Sequence, residues 1–297
     1  MNERSFLTFA GCLLLAAALS ARAEEPGPGD KPDQKPDAKN VFSIGKVTCH
    51  KKERRVELDG KVCLQEGPIE YLAVLSGGKE HESILSFDCR AVDLNLAMIG
   101  LGYKAAGPTR KADDPNILRG DPVYLSVEWT DAEGKARRIR AEELLHNQGT
   151  KKPMRQTAWV FTGSDFARDP ETGKLFIDPE TKRTVFLADV ARNLIAIYYD
   201  PVAIFNSPLD TANNDLQETV PYYVINKEAC PKVGTAVKLV LEPAPKDALK
   251  PENLKDGADL MKREEGKDYS PPRPAPKPEA GEAPKSEKAA EPEPAKP

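Results

Sequence analysis

The chain has 297 residues and a net charge of −4, long enough for a sizeable core but without a basic excess. A dedicated nucleic-acid binder needs a positive face to neutralise phosphates, and no such face is apparent. Its 27 prolines crowd towards the two ends, so the residues able to build a core fall between them.

Residues 1–23 read as an export signal. Arg4 supplies the positive start, Phe6 to Leu19 the apolar stretch, and Ala21-Arg22-Ala23 a small-x-small cleavage site. The apolar stretch is too short for a comfortable membrane span, and cleavage is expected after Ala23. A lipoprotein reading would lipidate Cys12, but that residue lies inside the apolar stretch with too little of it upstream. No later segment is long and apolar enough to be a transmembrane segment. The mature chain is therefore expected to be soluble and exported, in the periplasm, outside the cell or in the cell envelope. Beyond the signal lie Cys49, Cys63, Cys89 and Cys230. In an oxidising compartment these are disulfide candidates whose pairing sequence does not choose; free, buried thiols are the other reading.

Residues 24–40 are rich in Pro, Gly, Lys and Asp and read as a flexible linker. From Val41 the pattern changes. Val56, Leu58, Val62 and Leu64 share one face of a period-two alternation that runs through Gly60. A hairpin at Asp59-Gly60 would put Val62 and Leu64 on the opposite face from Val56 and Leu58. One long strand with Gly60 as a bulge or kink fits better. Gly67-Pro68 turns the chain into Ile69 to Leu75, an apolar run suited to a strand covered on both faces. Ser76-Gly77-Gly78-Lys79 then reads as a hairpin turn and His81 to Phe87 as the returning strand.

Ala91 to Leu101 is the clearest helix, with Leu94, Ala97, Met98 and Leu101 on one face and Gly102 at the C-cap position. After a loop to Asp121, Val123, Leu125, Val127 and Trp129 alternate as a strand that turns at Asp131 to Gly134. A basic strand at Arg137 to Arg140 and a short helix at Ala141 to Leu145 come next. Further strands are expected at Thr157 to Thr162, Leu194 to Tyr199, Thr219 to Ile225 and Val237 to Leu241. A hairpin around Asp178-Pro179 would join Lys174–Ile177 to Thr184–Leu187. No internal repeat is apparent. The class is α+β and strand-rich, a largely antiparallel sheet with few helices, in one domain over residues 41–242. Residues 243–297 are dominated by Pro, Lys, Glu and Ala and read as a disordered Pro-rich C-terminal tail, a solvated end more than a spacer or ligand. A short helix from Pro251 to Lys262 is the one exception in it.

The stretch from Gly60 to Phe87 resembles the YdjY-like domain family. The matching residues are Gly60, Val62-Cys63-Leu64, Glu66-Gly67-Pro68-Ile69-Glu70, Gly78-Lys79 and His81-Glu82-Ser83. Looser agreement follows at Val127-Glu128-Trp129, Trp159-Val160, Gly163-Ser164 and Pro231 to Val237. The resemblance implies one defined domain in an exported or envelope-associated protein, and it implies no activity and no catalytic residues. Some relatives are ferredoxin-like, but the close-spaced cysteines that hold an iron–sulfur cluster are missing here.

His81, Glu82 and Ser83 are the candidate binding residues. On a strand, His81 and Ser83 would share a face; without a base and an orienting partner they make no catalytic triad. The zinc-protease spacing fails because Leu85 stands where the second His is needed. The plainer role is to fix the hairpin, with Glu82 pairing a Lys or Arg. Cys63 is open to use as a thiol, as a metal ligand with His81, or as a disulfide partner of Cys89. Ser76 to Lys79 is not a phosphate loop, since Ala73 and Glu80 break the pattern. Asp210 to Asp215 lacks the calcium-loop glycine, and Arg137, Arg138 and Arg140 read as solvated charge. No catalytic constellation, no metal site and no cofactor are called for. The leading function is a non-enzymatic binding or envelope-associated module, its partner an envelope protein or a small ligand. The rival is an enzyme or metal protein using His81, Glu82 and Cys63.

Overall fold

The structure, a computed structural model, describes residues 40–107, 119–212 and 223–257. The export signal, most of the linker and the tail beyond Gly257 lie outside the described residues. Strands β1 (Val41–Ile44), β2 (Val47–His50), β3 (Arg55–Val62), β4 (Tyr71–Leu75) and β5 (Ser83–Phe87) precede helix α1 (Ala91–Gly100). Then come β6 (Pro122–Thr130), β7 (Ala136–Arg140), β8 (Leu145–Asn147), β9 (Lys152–Pro153) and β10 (Trp159–Phe161). Short helix α2 (Leu187–Ala191) leads to β11 (Asn193–Ala196), β12 (Phe205–Asn206), β13 (Tyr223–Ile225) and β14 (Ala236–Pro243).

The long alternating strands make one wall. Val56 and Leu58 of β3 lie opposite Leu241 and Leu239 of β14, which in turn face Leu125 and Val127 of β6. All six are buried, so two apolar rows cross three strands. On the other face Val240 and Ser126 are buried as well, and towards the strand ends that face carries charge: Glu57, Asp59, Glu128 and Lys238. Lys238 bonds Glu57 at 3.0 Å and Asp59 at 3.3 Å, and Arg138 bonds Glu128 at 3.0 Å. β3 runs through Gly60 with no break in its register to β14, so the single-strand reading holds and no bulge is needed.

The wall closes on itself. Pairing runs β3–β14–β6–β10–β12–β11–β4–β5, and β5 returns to β3 through Gly60↔Phe87, Lys61↔Ser86 and Val62↔Leu85. The result is an eight-stranded barrel, with β1 and β2 extending from β3 and β7 branching from β6. A separate small sheet joins β13, β8 and β9. Phe161 and Phe205 pack in the core with ring centroids 5.4 Å apart.

The sheet is largely antiparallel, as expected, but it is closed into a barrel and two of its pairings are parallel. β4 and β5 are parallel, with Tyr71 opposite Ser83 and Leu75 opposite Phe87, and β11 and β12 are parallel as well. Residues 76–82 are therefore not a hairpin turn; they carry the chain back to the beginning of β5. Gly78 N–H closes a turn on Leu75 O at 2.9 Å, and a single 3₁₀ turn, Glu80–Glu82, follows. A tight hairpin and a short parallel return both begin with small residues that reverse the chain, so local sequence does not separate them. Glycine is required for another reason: a Cβ on Gly78 would sit 2.8 Å from Arg192 Cβ.

α1 forms as expected and packs against β1, β2 and α2. Gly102 takes φ +81°, Gly102 N–H bonds Ile99 O, and Tyr103 N–H reaches back to Met98 O, which ends the helix in a glycine C-cap. Packing also continues past Glu242. Leu249 and Leu254 are buried against Ala158, Val160 and Tyr199, and Asp256 accepts hydrogen bonds from Tyr223 Oη and Asn147 Nδ2. Residues 165–187 form an arm in which Asp169-Pro170-Glu171-Thr172 and Asp178-Pro179-Glu180-Thr181 make matching turns. In each turn the Asp Oδ1 accepts two backbone N–H groups ahead of it. Asp-Pro-Glu-Thr thus occurs twice, a short local repeat that corrects the expectation of none. The expected pairing around Asp178 is present as Ile177↔Thr184.

Cys49, Cys63, Cys89 and Cys230 are all free thiols, so no disulfide is formed among the described residues. No helix among the described residues is long and apolar enough to cross a membrane.

The outer charge belt carries a pH prediction. Burial raises the Glu57 carboxyl, but Lys238, His50 and Arg55 outweigh it and hold the pKa below the ordinary value of 4.5. A folded-state pKa below the unfolded one adds stability that is present above the unfolded value and lost as pH falls through the folded one. Glu57→Gln is expected to flatten the acid limb of a plot of melting temperature against pH, below about pH 4.5.

Candidate functional site

Tyr71 opens β4 and Asn193 opens β11, and the two strands pair with register shifts on either side of Ile195. Such irregularities re-aim side chains that a regular ladder would hold in the sheet. Asn193 is 3% exposed and stands in the wall of a cleft of about 330 Å³ lined also by Glu70, Tyr71, Tyr198, Asp200 and Val202. Asp200 sits in the turn after β11. Its backbone N–H bonds Asn206 Oδ1 at 2.8 Å, and its Oδ1 accepts Val202 N–H at 2.9 Å.

These groups form one network. Tyr71 Oη donates to Asp200 Oδ2 at 3.1 Å and accepts from Lys79 Nζ and Asn193 Nδ2, each at 3.2 Å. Asn193 Nδ2 also donates to Asp200 Oδ2 at 2.7 Å. Both amide protons are then used, and Asn193 Oδ1 is left buried with no partner. An unmet buried acceptor costs about 1–3 kcal/mol, which a donor arriving in the cleft would relieve. Lys79 is fixed by Glu82 at 3.0 Å and lies 3.8 Å from Glu70.

Burial, then the Asp200 charge, pushes the Tyr71 phenol well above its ordinary range. Burial pulls the Lys79 ammonium down, but its hydrogen bonds to Glu82 and Tyr71 win and raise it above an ordinary lysine. Near neutral pH the phenol is therefore protonated and the ammonium charged. Neither is tuned to exchange protons, and the cleft offers fixed acceptors and tyrosine rings instead.

The residues singled out in the sequence are divided by the fold. His81 lies in the 3₁₀ turn before β5 with its side chain 80% exposed, and its Nε2 is 4.0 Å from Glu82 Oε2. Ser83 is buried, and its Oγ donates to Lys79 O at 2.7 Å. The expected shared strand face is absent because β5 begins only at Ser83. Glu82 alone reaches the cleft, through Lys79. The Cys63 thiol lies 3.2 Å from Ser83 O, pushed up to about 11 by burial and by Glu80, so it stays protonated. Among the described residues no group of His, Cys, Asp and Glu is placed to hold a metal. Arg137, Arg138 and Arg140 are all ion-paired, to Asp131, to Glu128 and Glu242, and to Glu142. Asp210 accepts the Asp256 N–H, and residues 213–215 lie outside the described residues.

Tyr71, Asn193 and Asp200 were missed. Two signals point to them: a Tyr at the head of an apolar run, and polar residues bracketing the apolar run Leu194 to Tyr199.

The fold and cleft thus define a closed mixed barrel with a polar, acceptor-rich pocket where the start of β4 meets β11 and the turn after it. The family profile described as YdjY domain matches residues 47–242, and the chain belongs to that family, one of unknown function. No curated protein and no solved structure gives a match.

Proposed function

We propose that the chain is an exported, non-enzymatic binding module that holds a small amine-bearing ligand in the Tyr71–Asn193–Asp200 cleft. The observation that carries this reading is Asn193 Oδ1, a buried acceptor without a donor, beside the Asp200 and Glu70 carboxylates. An ammonium group offers several donors and a positive charge, and the Tyr71 ring already holds one cation, Lys79 at 4.8 Å, while the Tyr198 ring lines the cleft beside it. The protonated phenol and charged lysine support binding over acid–base catalysis. The rival enzyme or metal reading has less to stand on, since His81 points to solvent and Cys63 is a protonated thiol.

Calorimetric titration with putrescine, glucosamine and glucose tests the site. The two amines are expected to bind and glucose to be much weaker. Asp200→Asn and Glu70→Gln should each cost about tenfold in affinity, the worth of a charge-assisted hydrogen bond. Equal binding of glucose, or amine binding indifferent to both variants, overturns the amine reading.

Export rests on residues 1–23. N-terminal sequencing of the mature protein from the envelope or medium is expected to begin at Glu24. An intact Met1 on protein recovered from the cytoplasm would remove the exported part of the proposal.

A further inference from the structure

A second cavity, about 500 Å³, lies away from the polar cleft, between the Thr181–Phe186 edge of the arm and the segment Phe87 to Arg90 that leads into α1. Its floor is apolar: Leu75, Phe87, Phe186 and the 66%-exposed Val190 contribute to the lining. Arg90, Arg183 and Arg192 stand around it.

The charges there are not balanced. Asp88 is taken by an ion pair with Lys46. Asp189 accepts the N–H groups of Ala91 and Val92 at the first turn of α1, and burial pushes its carboxyl up. Asp189 also feels the Arg90 charge, and Arg90 in turn faces Asp93, so the acids of the site offset Arg90 and leave Arg183 and Arg192 without a carboxylate partner among the described residues. Arg90 is 3.8 Å from Asp93, and Arg192 spends one nitrogen on Ser76 O at 2.8 Å. Arg183 is exposed and has no ion-pair partner among the described residues. Cys89, also in the lining, is pushed up to about 12 by burial and its acidic neighbours, so it adds a neutral thiol and no nucleophile.

We propose that this cavity is a binding site for aliphatic carboxylates, with Arg183 and Arg192 holding the carboxylate and the floor of Leu75, Phe87, Phe186 and Val190 taking the chain. A guanidinium accepts a carboxylate in two parallel hydrogen bonds, and an apolar floor beside it selects for an acid with a short hydrocarbon body. Two sources share this chemistry, a free fatty acid and the C-terminus of an apolar peptide. The site is independent of the amine cleft and uses none of its residues.

The test is calorimetric titration of the full chain with octanoate, with octylamine, and with a short leucine-ended peptide as free acid and as C-terminal amide. Octanoate or the free-acid peptide is expected to bind, the better of the two identifying the source, while octylamine and the amide do not. Arg183→Glu should weaken carboxylate binding at least about tenfold, and Val190→Asp should weaken octanoate, both at unchanged melting temperature because both residues are exposed. Asp200→Asn, in the other cleft, should leave octanoate binding as it was. The proposal falls if neither acid binds, if octylamine or the amide binds as well, or if Arg183→Glu changes nothing.

Discussion

Gly60→Val is expected to destabilise the protein severely, because Gly60 is where the barrel closes. It lies between Val237 of β14 and Phe87 of β5, on the face that Val56, Leu58 and Val62 turn inward. The gap left by the missing side chain is filled by Phe87: a Cβ on Gly60 would lie 2.5 Å from two atoms of that ring and 2.6 Å from Ser86 O. The ring is fully buried, and the carbonyl belongs to the neighbouring strand, so neither has room to retreat. Overpacking of a tight core costs about 1–3 kcal/mol, and here the added atoms also push apart the pairing that seals β3 to β5. Opening that seam would expose two strand edges and invite association. Urea unfolding of Gly60→Val should show a loss at or above the upper end of that range. In Gly60→Val/Phe87→Ala the two losses should add to less than their sum, because the smaller side chain leaves room for the valine. Stability within about 0.5 kcal/mol of wild type would mean that Gly60↔Phe87 is not a seam under constraint.

The same residues show what sequence can and cannot carry. Alternation is local, so β3, β6 and β14 are legible from Val56-x-Leu58, Val123-x-Leu125-x-Val127 and Val237-x-Leu239-x-Leu241. Closure is not local, since nothing near Gly60 says that Phe87 will lie across from it. The glycines after Leu75 announce a reversal without saying whether the next strand returns antiparallel or restarts in parallel. Reactive residue types drew attention to His81, Glu82 and Ser83 because they are adjacent in the chain, yet a 3₁₀ turn splits them between solvent, a lysine and the core. The cleft draws on Tyr71, Lys79, Asn193 and Asp200, which the barrel brings together from far apart. Residues 244–257 were hidden by composition: Pro, Lys, Asp and Ala make up most of them, but Leu249 and Leu254 are buried against β10 of the barrel and Asp256 bonds Tyr223 and Asn147 of the small sheet.

Arg140→Met is expected to produce the second large loss, through a carboxylate it leaves behind. Glu142 is 0% exposed, and its Oε1 accepts Arg140 Nη2 and Trp159 Nε1, each at 2.9 Å, while Oε2 has no partner. Arg140 also donates to the carbonyls of Leu125 and Thr157 and lies over the Tyr124 ring at 4.4 Å. Removing one member of a buried ion pair costs about 3–5 kcal/mol, mostly because the other charge is stranded, and replacing both members by apolar residues recovers much of it. Arg140→Met/Glu142→Leu should therefore be more stable than Arg140→Met alone. Burial already raises the Glu142 carboxyl, against the pull of Arg140. Without the arginine the folded-state value rises further above the unfolded one. A raised carboxyl pKa means that the folded state binds the extra proton, so stability is greatest below the unfolded value and declines as pH rises towards the folded one. The deficit of Arg140→Met, measured by denaturant unfolding, should accordingly be smaller near about pH 5 than near about pH 8, and the double variant should lose this dependence. A deficit that does not change with pH would place the cost in the lost Tyr124 and carbonyl contacts of Arg140, and not in the buried charge of Glu142.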